Sequence, residues 1–374
     1  MVNVVISGSG VFTPEHSISN EELVAAYNQH VNDFNSSHEK EIEAGEVKPL
    51  AYSSCEFIEK ASGIKSRHVM YLENILDPDI MKPTFSKRLA GDKPPEQVEM
   101  AIAAAKEALA QANREGHEVD LVICAASNFQ RPYPALAVEV QHHIGAQGFA
   151  YDMNVACSSA TFAIINAVQA IKAGSAKVVL VVNPEFASPQ LNYRSRDSHF
   201  IFGDVCTATI IEAEEGCKSE QAFRVLGNKQ LTQFSNNIRC DVSYTDHCMD
   251  DLPEKTPFFT QEGRKVFKEL TPIVAEFVLS FLKDIDTKVD ELKRMWLHQA
   301  NIHMNIYVCK KVLGLDDVDF DKAPLVLDKY ANTASAGSVV AFHQNKADFE
   351  PGDKGLLCSF GAGYSVGSIA LKRI

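Results

Sequence analysis

Tyr151-Asp-Met-Asn-Val-Ala-Cys157-Ser-Ser-Ala-Thr-Phe162 is the stretch on which the fold turns. An extended segment stops there and a helix begins at once, with small residues (Ala156, Ser158, Ser159, Ala160) packed around one cysteine. A thiol at a helix N-terminus lies at the positive end of the macrodipole, beside unpaired N–H groups. Both effects favour the thiolate, the nucleophilic form, and the small neighbours leave room for a substrate carbonyl to reach the backbone. Read alone, Cys157 is as readily a small buried hydrophobe, the usual fate of a free cysteine.

Working outward, Ser158 to about Ala173 reads as a helix closed by Gly174. Val4–Ile6, Leu121–Ala125, Val178–Val182 and Thr207–Ile211 are short, rich in β-branched residues and bounded by turn residues, so they read as buried strands. Pro95 to about Asn113 is an Ala- and Glu-rich helix between two of them. The alternation predicts an α/β protein with largely parallel or mixed sheets. A second part begins near Gly216 and echoes the first. Strands are expected at Met295–Leu297, Pro324–Leu327 and Gly355–Ser359, with helices from Gln261 to about Lys283 and from just after Asn332. The expected organisation is two similar α/β halves, residues 1–215 and 216–374. Two excursions near residues 20–50 and 71–95 read as caps or surface insertions, the first helical from Asn20 onward.

Composition narrows the function. The chain has 374 residues, 36 Lys+Arg against 49 Asp+Glu, and a formal net charge of -13. That balance disfavours nucleic acid as a partner, since neutralising phosphates needs a basic surface. The nine cysteines form no CxxC pair, which argues against a zinc ribbon or a thioredoxin-type site. His142-His143 has no further ligand spaced to complete a metal site. The start lacks a basic n-region and no apolar run approaches the length of a membrane span, so a reduced, soluble, cytoplasmic protein is expected.

Three further segments could carry chemistry. His298, in Leu297-His298-Gln-Ala-Asn301, ends an apolar strand and is placed to project from its carboxyl edge. Asn332, in Tyr330-Ala-Asn332-Thr-Ala-Ser-Ala-Gly-Ser338, stands at another strand-to-helix junction, where it could equally be an N-cap. Ser359-Phe-Gly361-Ala-Gly363-Tyr-Ser-Val-Gly367 has glycine spacing like a dinucleotide fingerprint, but no βαβ unit follows it. A tight turn aiming a backbone N–H at a ligand fits better. Gly8-Ser-Gly10 lacks the third glycine and the acidic ribose ligand of a nicotinamide dehydrogenase.

Cysteine, histidine, asparagine and a glycine-rich turn, in this order on a duplicated α/β layout, resemble the thiolase superfamily and within it the β-ketoacyl-acyl-carrier-protein synthase III family. The resemblance also takes in Ile6-Ser-Gly-Ser-Gly-Val-Phe-Thr-Pro14, Ser54-Cys-Glu-Phe57 through Arg67, and Phe200-Ile-Phe-Gly203-Asp204, so it spans nearly the whole chain. It implies duplicated halves in a layered αβαβα architecture with mixed five-stranded sheets, and a homodimer. It implies Cys157 as acylated nucleophile, His298 and Asn332 as the pair that stabilises charge during condensation, and the backbone N–H groups of Cys157 and Ala362 as an oxyanion hole. Phe57 and Arg196 match coenzyme A contacts, while a neighbouring arginine of some relatives is Ala61 here. Lys268, on Arg264-Lys-Val-Phe-Lys268, with Lys310 and Lys311, are candidates for docking an acidic carrier protein. An arginine that relatives carry after the histidine motif is His303 here. Tyr133, in Arg131-Pro-Tyr-Pro134, matches a position that reaches across a dimer to the partner's acyl pocket.

The implied reaction transfers an acyl group from coenzyme A to Cys157 and then condenses it, with loss of carbon dioxide, with malonyl-acyl-carrier protein. Acyl-coenzyme A and malonyl-carrier protein are substrates; no metal or other cofactor is implied. The Cys157 segment and Arg196–Asp204 are most similar to the β-ketodecanoyl-carrier-protein synthase type, which points to a medium-chain, octanoyl-like primer. An acetyl primer, a long-chain or secondary-metabolite condensation, and an inactive partner subunit are the alternatives. A degradative thiolase would need a second cysteine in a Cys-x-Gly segment, and Cys358-Ser-Phe-Gly361 has the wrong spacing.

Overall fold

The computed structural model describes residues 2–84, 93–241 and 259–374. Cys248 and part of the 71–95 excursion lie outside the described residues.

Nine strands form one twisted mixed sheet: β1 (Val4–Phe12), β2 (Leu121–Ala125), β3 (Phe149–Met153), β4 (Val178–Glu185), β5 (Val205–Ala213), β6 (Phe223–Ser235), β7 (Leu292–Leu297), β8 (Lys354–Gly361) and β9 (Gly363–Arg373). Their spatial order is β7-β8-β9-β6-β1-β5-β4-β2-β3. The sheet is two half-sheets meeting at a narrow seam, because β1 and β6 pair only through Val5↔Arg224 and Ile6↔Phe223. In the first half β2 runs parallel to β3 and β4, and β4-β5-β1 continue antiparallel. In the second, β7 runs parallel to β8, and β8-β9-β6 are antiparallel.

Helices separate into three layers by what their apolar faces bury. α3 (Glu96–Ala112) and α4 (Leu136–Ile144) cover the outer face of the first half-sheet through Ala104, Ala108, Leu136 and Val140. α6 (Gly263–Asp284) and α7 (Ile302–Leu313) cover the outer face of the second through Val274, Phe281 and Val308. Between the half-sheets lie α5 (Ser159–Lys172) and α8 (Gly337–Gln344), packed with Ile123, Val181, Trp296 and Leu357. These central helices are apolar nearly all round, as burial on both sides requires. The architecture is thiolase-like αβαβα. Near its open end, α1 (Asn20–Ser37) and α2 (Cys55–Ser62) form a cap with residues 187–202. α1 starts at a capping box, with Ser19 and Glu22 each bonding the other's backbone.

Two expectations need correction. The second half-sheet has four strands among the described residues, because Pro324–Leu327 is not a strand: 324–326 form no regular element and Leu327–Tyr330 is a short helix. Pro324 has no N–H to give to a ladder. The Gln299 side chain replaces one, donating to Pro324 O at 3.3 Å and accepting from Val326 N at 3.0 Å and Leu327 N at 3.2 Å. The helix expected just after Asn332 begins instead at Gly337, leaving a loop of four residues between them.

Candidate active site

Cys157 lies where β3 hands the chain to α5, inside a 3-10 turn (Ala156–Ser158) that precedes the helix proper. The turn is pinned from both ends: Asn154 Oδ1 accepts from Ala156 N at 2.8 Å, and Ser159 Oγ accepts from Val155 N at 2.9 Å. Ala156 is thereby held at φ +45°, a left-handed conformation that L side chains rarely adopt. Against this turn packs the β8–β9 hairpin. A Cβ at Gly361 would stand 2.5 Å from Cys157 Cβ and 2.8 Å from its Sγ, so only glycine lets the strand approach. The hairpin turn then brings the Ala362 N–H to the Cys157 sulfur, where it joins the N–H of Cys157 itself.

The thiol differs from the sequence expectation. Cys157 retains some solvent access, but its sulfur is so closely surrounded that burial pushes the thiol up to about 11; the Ala362 N–H offsets part of this and the Glu185 carboxylate adds to it. The helix dipole does not win, because the helix proper starts two residues later and desolvation is the larger effect.

His298 follows β7 and is buried. Its N–H donates to Cys358 O at 2.8 Å, and its ring meets Phe360 edge-on at 5.3 Å, which ties it to the same hairpin that touches Cys157. Burial holds the imidazole down at about 4, so it is neutral at physiological pH. Its Nδ1 is buried without a partner among the described residues.

Asn332 is threaded into the first half of the molecule. Its N–H donates to Ile201 O at 2.9 Å, its C=O accepts from Gly203 N at 3.2 Å, and it bridges Phe202 in parallel. The side chain is not a helix cap; its Oδ1 accepts from Ala334 N at 2.9 Å, which leaves Nδ2 as the group on offer. Asn332 lines a cleft of about 710 Å³ together with Phe57, Ala61, Phe200, Phe267 and Lys268.

The cleft gathers some of the remaining candidates and not others. Phe57 and Lys268 line it, and the Arg196 guanidinium lies 3.7 Å over the Phe57 ring at its edge. His303 stands in its wall with Nε2 2.8 Å from Lys60 O. Lys310 and Lys311, two turns along α7, do not line it. Tyr133 is 79% exposed and does not reach the cleft of its own chain. Sequence reasoning missed Arg264 and Asp197 at the mouth, and it missed Glu185, a fully buried carboxylate behind the site. The signal for Glu185 was available: an acid closes a strand that opens on the apolar run Val178–Val182.

Comparison with known proteins gives the family. Residues 151–229 match the family model described as 3-Oxoacyl-[acyl-carrier-protein (ACP)] synthase III, and residues 282–373 match the model of its C-terminal part. The chain is 50% identical to the β-ketodecanoyl-[acyl-carrier-protein] synthase of Pseudomonas aeruginosa, over 93% of this chain and 99% of that one. It is 27% identical to a β-ketoacyl-[acyl-carrier-protein] synthase III of Clostridium perfringens over the full length of both. In fold it is similar to the crystal structure of 3-oxoacyl-[acyl-carrier-protein] synthase III from Aquifex aeolicus, with a TM-score of 0.76 and 24% identity over 99% of each chain.

Proposed function

The chain belongs to the 3-oxoacyl-[acyl-carrier-protein] synthase III family, acting as a condensing acyltransferase of fatty acid biosynthesis, and we propose that Cys157, His298 and Asn332 carry its chemistry. The observation that supports this most is the pair of backbone N–H groups, from Cys157 and Ala362, converging on the one sulfur. A tetrahedral oxyanion on the carbon bonded to that sulfur forms beside the same two donors.

In the first half-reaction the Cys157 sulfur attacks an acyl-coenzyme A carbonyl, and the thiol proton leaves with the coenzyme A thiolate. Phe57 and Arg196 hold the nucleotide; an adenine stacking on Phe57 displaces the guanidinium that covers the ring. In the second, malonyl-acyl-carrier protein loses carbon dioxide. The enolate oxygen accepts hydrogen bonds from Asn332 Nδ2 and His298 Nε2, and the enolate carbon attacks the Cys157 thioester. A neutral His298 suits this role. Its buried, unpartnered Nδ1 is less costly as a lone pair than as an orphaned N–H, which puts the proton on Nε2. No step drawn here needs a metal or other cofactor.

We further propose a medium-chain, octanoyl-like primer, because the relative that is 50% identical is a β-ketodecanoyl synthase. Lys268 contributes to carrier docking at the cleft mouth. Residues 1–215 and 216–374 are duplicated halves, and Tyr133, exposed on one chain, serves the acyl pocket of a second copy in a homodimer. The test is to incubate the protein with saturated acyl-coenzyme A species from acetyl to dodecanoyl and weigh it intact. Octanoyl is expected to accumulate on Cys157. Preferential acetyl loading would overturn the primer, and absence of any adduct would overturn the nucleophile.

A further inference from the structure

We propose that Glu185 is a positioning residue that fixes the Cys157 turn and the Asn332 loop relative to each other through one buried carboxylate. This rests on the separate roles given above to Cys157 and Asn332. Glu185 ends β4 and is fully buried, with no cation paired to it among the described residues. A buried charge of this kind is costly unless its oxygens are fully bonded. Among the described residues the bonds it makes come from two serines, one for each loop.

On one side, Ser127 donates its N–H to both oxygens (3.0 and 3.2 Å) and its hydroxyl to Oε2 at 2.6 Å. Ser127 O accepts from Asn154 Nδ2 at 3.0 Å, and Asn154 Oδ1 accepts from Ala156 N at 2.8 Å, one residue before the nucleophile. On the other side, Ser335 donates its N–H to Oε1 at 3.1 Å and its hydroxyl to the same oxygen. The residue before it, Ala334, donates the N–H that orients the Asn332 side chain. Three hydrogen bonds in series thus join the carboxylate to the Cys157 turn, and two join it to the Asn332 side chain. The Ser127 arm comes from the first half of the chain and the Ser335 arm from the second. Burial raises the carboxyl to about 6 while the serine bonds hold it down, so it is ionised at neutral pH and can accept from all four donors.

The two arms predict opposite losses. Acylation is read as octanoyl transfer from octanoyl-coenzyme A to Cys157 in a single turnover. Condensation is read as product formed when the pre-acylated enzyme meets malonyl-acyl-carrier protein. Ser335→Ala is expected to slow condensation roughly tenfold, the scale of one lost hydrogen bond to a charged group, and to leave acylation within about twofold. Ser127→Ala is expected to do the reverse on the same scale. Glu185→Ala slows both. Glu185→Gln slows both less, since its oxygen can still accept the two backbone N–H groups. A purely structural role would lower the melting temperature without splitting the half-reactions. Equal losses in both half-reactions for the two serine variants, or no loss in either, would overturn the proposal even if Glu185→Ala fails to fold. Asn332→Ala run alongside separates the two ideas. If it spares condensation, the role given to Asn332 has failed; if it behaves as proposed while the serine variants do not split, only the role of Glu185 has failed.

Discussion

In the first half, an edge strand (β3) leads into Cys157 and then α5; in the second, the irregular segment 324–326 and a short helix lead into Asn332 and then α8. Each junction leads into a central helix, yet the two are built and held differently. The Cys157 turn is tied locally to Asn154 and Ser159, and it meets the second half through an approach to Gly361 that leaves no room for a side chain and through the Ser158–Ser365 hydroxyl pair at 2.9 Å. The Asn332 loop is held from a distance, by Ile201, Gly203 and, through Ser335, Glu185. In the roles proposed, the nucleophile is placed largely by close packing. A hydrogen-bond donor that must be aimed is placed by hydrogen bonds. The loop residues Ala156, Ala331 and Ala334 all have positive φ, at 45°, 55° and 45°, so both junctions depart from relaxed backbone where the site is built.

The sharpest way to break this contrast is Asn332→Ala. Losing one oxyanion donor costs about 2.7–4 kcal/mol, so condensation is expected to fall roughly 10²–10³-fold while acyl transfer to Cys157 persists. Equal loss of both, measured on separated half-reactions, would mean the two junctions do not divide the work. Gly361→Ala comes next. The added methyl must displace the Cys157 side chain from 2.5 Å, and misplacement by about 1 Å costs on the order of 10²-fold. Here both half-reactions should fall together, because the methyl also displaces the adjoining Ala362 N–H that serves both, and a fully acylated variant would show that shape does not place the nucleophile.

The same contrast explains what could be read in advance. Seven of the nine sheet strands, or parts of them, and the helices around Cys157 follow from short apolar runs and caps, since burial on two faces leaves little choice of residue. The fifth strand of the second half could not be distinguished from the segment that replaces it. Pro324-Leu-Val-Leu327 is apolar in either case, and the deciding partner, Gln299, is a side chain 25 residues away from Pro324. Cys157, His298, Asn332 and Ala362 were legible as motifs. Their surroundings were not, because the thiol is raised by burial and by the charge of Glu185, and elements remote in sequence, Gly361 and Glu185 among them, close in on it.

That desolvation has a smaller, graded consequence. With the thiol held up at about 11, the thiolate fraction rises about tenfold per pH unit below that value. Alkylation of Cys157 by iodoacetamide, followed by peptide mass mapping, should therefore climb about tenfold per unit from roughly pH 7 to pH 9. His298, neutral down to about 4, adds no limb in that window. A plateau by about pH 8 would mean the turn stabilises the thiolate after all.

The smallest effect lies at the cleft mouth, where the two halves meet solvent. The chain carries a net charge of -13 and must still receive a carrier protein that is itself acidic, so attraction has to be local. Lys268 lines the cleft and is exposed; Lys310 and Lys311 are exposed but do not line it. Exposed pairs contribute about 0.2–1 kcal/mol each, so Lys268→Glu, which replaces an attraction with a repulsion, should raise the KM for malonyl-carrier protein by roughly threefold to tenfold and leave kcat near its original value. The ratio should shrink in high salt, because charges separated by more than about 3 Å are screened at 1 M ionic strength. The same reversal at Lys310 or Lys311 should change KM by less than about twofold. If those lysines matter more than Lys268, the carrier approaches along α7 rather than over α6, and the docking surface belongs to the outer face of the second half instead of the shared mouth.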